Sequence, residues 1–280
     1  MPFTMESAGR TDVGRLRTNN EDNFTVEPPL LIVADGMGGA AAGEIASSIA
    51  VDTIAESLAG MTYTSDDEIA AAVKRAVLDA DSKIKRETGI NPDMLGMGTT
   101  VVLAIQFDNR IMIANVGDSR AYLITERNER PKPASVHTTS SVDANAQTAI
   151  LQPIDLDTGK KVTSGITRIS QDHSVVMDLV RSGVISEEDI RTHPLRNRIT
   201  RCLGSIKDDG ADTSWHDIHD HDVLILCSDG LWEMVHEDIM LAVTNSSNTM
   251  DEACRRLVDA ANDAGGADNI TVIAARFNAV

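Results

Sequence analysis

"TTVVLAIQFDNRIMIANVGDSRAYLIT" occupies residues 99–125, and its reading decides the fold class. Three runs of β-branched and aliphatic residues stand end to end, each the length of a strand. Asp108-Asn109 marks a tight hairpin turn between the first two, and Gly117-Asp118-Ser119 a break before the third. Strands joined this closely run antiparallel, because a parallel pair needs a crossover of a dozen or more residues.

Working outward, residues 30–34 and 222–228 ("DVLILCS") read as short strands buried on both faces, and "NITVIAARF" (269–277) as the last strand. Helical stretches alternate with these blocks. In 66–86, Ile69, Val73, Ala76, Val77, Ala80 and Ile84 follow the spacing of one apolar helix face. Ile45, Ile49, Ile54 and Leu58 form a looser stripe, and Ala253, Leu257, Val258 and Ala261 another near the end. The pattern predicts an antiparallel α+β layered domain rather than a doubly wound parallel sheet. Residues 126–147 are rich in Pro, Ser, Thr and Asn and read as an exposed loop. Residues 148–169 read as two strand arms around a turn at Asp157-Thr158-Gly159.

The bulk composition narrows the function. At 280 residues, 42% hydrophobic and 24% charged, the chain can bury a sizeable core. Its formal net charge of −18 repels nucleic-acid phosphates and anionic lipid, so neither nucleic acid nor membrane is an expected partner. Cys202, Cys227 and Cys254 are odd in number and lack C-x-x-C spacing, against a disulfide framework or zinc site and for a cytoplasmic location. The start shows no signal-peptide pattern, and no apolar stretch reaches the length of a membrane span.

Acids recur at strand ends. "LIVADGMGG" places Asp35-Gly36 after a buried run, and "LILCSDGLW" does the same with Asp229-Gly230. "IANVGDSR" ends on Asp118, and Asp268 immediately precedes the last strand. Each alone reads as a turn or a helix cap. Four together invite convergence, and converging carboxylates repel unless a cation cancels their charge. All-oxygen ligands with no His or Cys beside them suit Mg²⁺ or Mn²⁺ rather than zinc. A phosphate-cradling glycine loop fails on detail, since "DGMGGAAAGE" lacks the G-K-[ST] ending and the dinucleotide spacing. In "TDVGRLRTNNEDNF" (11–24), Arg15 and Arg17 offer forks for phosphate oxygens, with Glu21 and Asp22 beside them. "WHDIHDHD" (215–222) looks at first glance like a metal cluster.

Eight segments in order, "DVGRLRTNNEDNF", "LIVADGMGG", "GMGTTVVLA", "IANVGDSRAYLI", "QDHS", "LRNRITRCLG", "LILCSDGLWE" and "GGADNITVI", resemble the metal-dependent Ser/Thr protein phosphatases of the 2C type (the PPM family) in their compact bacterial form. The resemblance covers nearly the whole chain and implies one phosphatase domain over 1–280. The fold it implies is a four-layer αββα sandwich of two antiparallel sheets flanked by helix pairs. A small helical flap would lie at about 173–199, an extra loop and hairpin at about 126–168, and "WHDIHDHD" in the solvated turn before the Asp229 strand. By position, Asp35 would bridge two Mn²⁺ or Mg²⁺ ions, with the Gly36 carbonyl on one and Asp229 and Asp268 on the other. Asp118 would help hold a third, weaker ion. Arg17 would grip the substrate phosphate, and Glu21 and Asp22 would support metal-bound waters from the second shell.

The implied reaction is hydrolysis of phosphoserine and phosphothreonine in proteins by a water bridging two ions about 3.5–4 Å apart. The enzyme would act as a monomer opposing a bacterial Ser/Thr kinase. Many relatives have a histidine general acid where this chain has Met37, so the resemblance assigns no proton donor. Two alternatives stand beside this one. A catalytically silent phosphoprotein-binding module would be expected to lack some of Asp35, Asp229 and Asp268, and all three are present. A phosphatase in a stress-response switch would be expected to carry sensor domains, which the sequence does not display.

Overall fold

A computed structural model describes residues 3–38, 42–128, 162–207 and 210–280. The 99–125 stretch forms β5 to β7 of the eleven strands among these residues. In chain order they begin with β1 (Phe3–Asp12), β2 (Asp22–Glu27), β3 (Leu30–Met37), α1 (Ala42–Leu58) and α2 (Asp66–Ile90). Then come β4 (Gly98–Thr99), β5 (Val101–Phe107), β6 (Arg110–Val116), β7 (Arg120–Asn128), β8 (Val162–Arg168) and α3 (Val175–Arg181). The chain closes with β9 (Asp212–Asp217), β10 (Val223–Cys227), α4 (Asp229–Trp232), α5 (Glu237–Asn245), α6 (Met250–Asp263) and β11 (Ile270–Ala279).

Two sheets result, in the orders β1-β11-β10-β7-β8 and β2-β3-β5-β6-β9, with β4 paired to β3, and every pairing is antiparallel. The Asp108-Asn109 turn sets the β5–β6 register at Phe107 opposite Arg110, with Asp108 at φ +53°.

Three apolar layers hold the sandwich together, and the period of two in each strand decides which layer a side chain joins. Val102, Ala104, Ile111 and Ile113 point inward to meet Leu224, Leu226, Ile273 and Phe277 of the other sheet. Their alternates, Val101, Leu103, Met112 and Ala114, point outward under α1 and α2. Ile225, Val272 and Ala274 point outward on the opposite side, against Leu257, Val258 and Ala261 of α6. Strands covered on both faces are why the sequence reads as continuous apolar runs.

The predicted α2 stripe is buried along its whole length. In α1 the expectation is corrected. Its deepest face is Ala42, Gly43, Ala46, Ser47 and Ala50, joined by Ile54 and Leu58, while Ile45 and Ile49 are only partly buried. Small residues there let the helix lie close over β3.

Three strands escaped the sequence reading. β1 and β2 carry mostly polar, half-buried side chains. β9 takes in Trp215–Asp217 of the segment read as a solvated turn. Trp215 packs on the α1–α2 layer and Ile218 is buried, so only part of "WHDIHDHD" faces solvent. Residues 126–128 continue β7 and 162–168 form β8. The rest of the expected loop, the first arm of the hairpin and its turn at 157–159 lie outside the described residues. In the expected flap, α3 and a 3-10 turn (Glu187–Thr192) are closed at the base by a bridge between Ser174 and Ile199. His193 caps that turn, and its Nδ1 accepts the Leu195 N–H at 3.1 Å. Among the described residues no helix is long and apolar enough to cross a membrane.

Phe277 is wholly buried between the sheets. Phe277→Ala is expected to cost about 3–5 kcal/mol in denaturant unfolding of the metal-free protein. A loss below about 1 kcal/mol would contradict the close packing of Phe277 in the inter-sheet layer.

Candidate active site

The strand-end acids converge. Asp35, Asp118, Asp229 and Asp268 line one cavity of about 290 Å³, together with Arg17, Glu21, Gly36 and Met37. Each comes from a different junction of the sandwich: Asp35 and Gly36 from the end of β3, Asp118 from the β6–β7 turn, Asp229 from the first turn of α4, and Asp268 from the residues before β11. Asn197 and Ile199, at the end of the segment expected to form a flap, form part of the wall.

The backbone around Asp35 is tightly held. Its N–H donates to Thr100 Oγ1 at 3.0 Å, and its carbonyl accepts from Thr100 N at 2.8 Å and Thr99 Oγ1 at 2.9 Å. Gly36 has no room for a side chain, because a Cβ there would meet the carbonyl oxygens of Gly43 and Glu21. A Cβ on Gly230, beside Asp229, would meet the Asn269 carbonyl oxygen. Both glycines of the Asp-Gly pairs therefore serve close approach, as the sequence suggests.

The electrostatics are those of an uncompensated site. Burial, then the charges of Asp229, Asp22, Asp118 and Asp268, hold the Asp35 carboxyl well above the usual carboxylate range. Burial and the nearby Asp118 do the same to Asp229. Burial and Asp172 push Asp118 up to about 7. Asp22 does not line the cavity. Burial pushes it up to about 6, although its Oδ2 accepts from Ser228 Oγ at 2.7 Å, next to Asp229. Burial also raises Glu21.

Among the described residues no three of these side chains are gathered into a finished metal cage. They stand around the cavity wall, as repelling charges do, and Arg17 Nη2 reaches across to Asp268 Oδ2 at 2.7 Å. A divalent ion fits this donor set: the donors are hard oxygens, Asp118 is buried and Asp35, Asp229 and Asp268 are partly buried, and cationic charge is what they lack.

One organiser escaped the sequence reading. Asn269, 3% exposed, accepts from Glu21 N at 2.8 Å and donates to the carbonyls of Val13 (2.9 Å) and Asn19 (2.8 Å). It fastens the 13–21 loop, and so Arg17 and Glu21, to the strand end that carries Asp268. Arg15 N donates to Gly266 O at 2.7 Å, and Arg15 does not line the cavity. The only signal for Asn269 in the sequence is its place beside Asp268.

Comparison with known proteins places this geometry. Residues 17–268 match the family described as Protein phosphatase 2C. The chain belongs to that family. It is 34% identical over 275 residues to a serine/threonine phosphatase, stp, of Listeria monocytogenes, covering 96% of this chain and 94% of that one. The serine/threonine phosphatase Stp1 from Staphylococcus aureus superimposes with a TM-score of 0.79 at 28% identity, over 99% of this chain and 96% of that chain. The catalytic domain of the serine/threonine protein phosphatase PstP, solved in complex with two manganese ions, gives 0.76 at 28% identity, over 99% of this chain and 100% of that one.

The raised carboxyls make the metal-free protein pH-sensitive. Asp22 and Asp118 hold protons in the folded state at pH values where the unfolded chain has lost them. Their contribution is complete below the ordinary Asp pKa of about 4 and is lost as pH rises through about 6 to 7. Thermal melts in EDTA are expected to fall steadily across that window, less steeply in Asp118→Asn. Saturating Mn²⁺ should flatten the dependence, and a metal-free melting temperature that rises from pH 4 to 7 would contradict the reading.

Proposed function

We propose that this chain hydrolyses phosphoserine and phosphothreonine in proteins, with Mn²⁺ or Mg²⁺ as cofactor, as one phosphatase unit. The observation that carries the reading is the convergence of Asp35, Asp118, Asp229 and Asp268 on one cavity with Arg17 at its side. Membership of the family and the serine/threonine phosphatase names of the relatives support it. The two manganese ions of the PstP structure support a two-ion site here.

Asp35 would bridge two ions, with the Gly36 carbonyl, Asp229 and Asp268 completing their ligands. Asp118 would hold a third. When bound, the ions supply positive charge for the phosphoryl oxygens and acidify water for in-line attack. Arg17 orients the phosphate. Its pair with Asp268 is half exposed on the arginine side (48%), and such a pair contributes only about 0–1 kcal/mol. The guanidinium can therefore turn to a phosphate oxygen at little cost and offer a planar two-point grip. Asp22, through Ser228, and Glu21, fixed at its backbone by Asn269, steady the wall around the ions. Met37 lines the cavity and has no proton to give, so the leaving alkoxide is protonated by water. The substrates are phosphoproteins of a Ser/Thr kinase, met by a monomeric enzyme.

The test is hydrolysis of a phosphothreonine peptide. Turnover should require Mn²⁺ or Mg²⁺, stop with EDTA and resist okadaic-type inhibitors. Asp35→Asn should lose about a hundredfold or more in kcat, since metal charge stabilisation supplies several kcal/mol. The same substitution should raise the metal-free melting temperature, because it removes one of the repelling charges. Metal-independent turnover, or full activity in Asp35→Asn, would sink the proposal. Arg17→Ala should raise KM about tenfold or more with Mn²⁺ affinity retained, and loss of metal instead would contradict its role.

A further inference from the structure

Three motif residues have no part in the chemistry above: Arg120 of "GDSR", Asp172 of "QDHS" and Trp232 of "DGLW". They come from separate parts of the chain and meet behind the cavity, none more than 4% exposed. Arg120 Nη2 donates to Asp172 Oδ2 at 2.7 Å, and its Nε lies 3.1 Å from both carboxylate oxygens. The guanidinium stacks on the Trp232 ring, 3.5 Å from the centroid. Trp232 Nε1 donates to the backbone carbonyl of Asp118 at 3.0 Å.

A buried ion pair is a poor source of net stability, since apolar residues of similar volume serve as well or better. What it supplies is geometry. The forked, two-point contact with Asp172 fixes the guanidinium plane, and the stack then fixes the plane of the indole. The indole has a single donor, and here it is spent on Asp118. Trp232 lies three residues beyond Asp229 in the same short helix, so its ring ties the turn carrying Asp118 to the helix carrying Asp229. On the other side of that turn, Gly117 donates to His173 Nδ1 at 3.0 Å and accepts from His173 N at 2.9 Å. The turn is thus held at Gly117, while the ring sets where Asp118 stands relative to Asp229. Like charges so placed would otherwise move apart.

We propose that Trp232, pinned by the Arg120–Asp172 pair, is a positioning residue that sets the spacing between Asp118 and Asp229 and with it the affinity of the site for divalent ions. The inference rests on the reading of both acids as metal ligands. A ring that only filled the core would affect folding stability and leave metal binding alone.

The experiment is calorimetric titration of Mn²⁺ into the metal-free full chain, comparing the parent, Trp232→Phe, Asp118→Asn and the double variant. Phe keeps an aromatic face under Arg120 and removes the N–H. Trp232→Phe is expected to weaken Mn²⁺ binding about tenfold, the usual effect of losing an outer partner of a ligand. KM for the phosphopeptide at saturating Mn²⁺ should stay unchanged. In the Asp118→Asn background the Trp232→Phe effect should vanish, a non-additivity that a packing role would not produce.

Weakened binding in Asp118→Asn with none in Trp232→Phe would overturn the positioning role alone. Unchanged binding in Asp118→Asn would overturn the ligand assignment of Asp118 and the proposal with it. Should Trp232→Phe fail to fold, fluorine NMR of the parent labelled with 5-fluorotryptophan decides. The chain has two tryptophans, and Trp215→Phe assigns their signals. The Trp232 signal should shift during Mg²⁺ titration and lose that shift in Asp118→Asn; a signal indifferent to Mg²⁺ would overturn the proposal.

Discussion

Repulsion among carboxylates that are wholly or partly buried is the constraint around which this molecule is built. Asp35, Asp118, Asp229 and Asp268 face one cavity, and burial and mutual repulsion raise the carboxyls of Asp35 and Asp229 well above their ordinary range. Left to themselves such groups separate, take up protons or unfold the segment that carries them. The sandwich prevents separation by placing each acid at the end of a different strand or short helix. Those elements are fixed by three apolar layers, so no acid can move without shifting a register. Rigidity has a cost here: folding free energy is spent holding a charge distribution that protons or a cation would relieve.

The loop carrying Arg17 and Glu21 follows a different logic. It owes little to apolar burial, and Leu16 within it stands 73% exposed. Hydrogen bonds with Asn269 and to the Gly266 carbonyl hold its backbone, and the Arg17 side chain makes a half-exposed pair with Asp268. The strand-end acids are thus fixed in the frame, while the Arg17 guanidinium is lightly tethered.

Much of this was legible in the sequence because the two strongest signals, apolar periodicity and turn chemistry, fall on the same residues. The hairpin at Asp108-Asn109 gave the antiparallel class, although the chain passes from one sheet to the other at Gly117-Asp118-Ser119, and the stripe of α2 gave one flanking helix. The strand-end position of each acid pointed to convergence without showing which ends would meet. The parts that stayed hidden share a cause: their structure is decided by partners distant in sequence. β1 is polar and half-buried, and becomes a strand because β11 pairs along its whole length. The inner face of α1 is made of small residues, whose burial depends on close approach to β3 rather than on hydrophobicity. Trp215 sits in a charged run and is recruited by the α1–α2 layer. The Asn269 side chain makes three hydrogen bonds to backbone groups and Trp232 makes one, and such bonds leave no period to read.

The most direct test of the central claim is an anomalous difference map from crystals grown with Mn²⁺. The account predicts two peaks in the cavity about 3.5–4 Å apart. The Asp35 carboxylate should lie between them, the Gly36 carbonyl on one, and Asp229 and Asp268 on the other, with Arg17 released from Asp268. Manganese bound elsewhere, or a cavity that stays free of anomalous signal while Arg17 keeps its pair with Asp268, would contradict it.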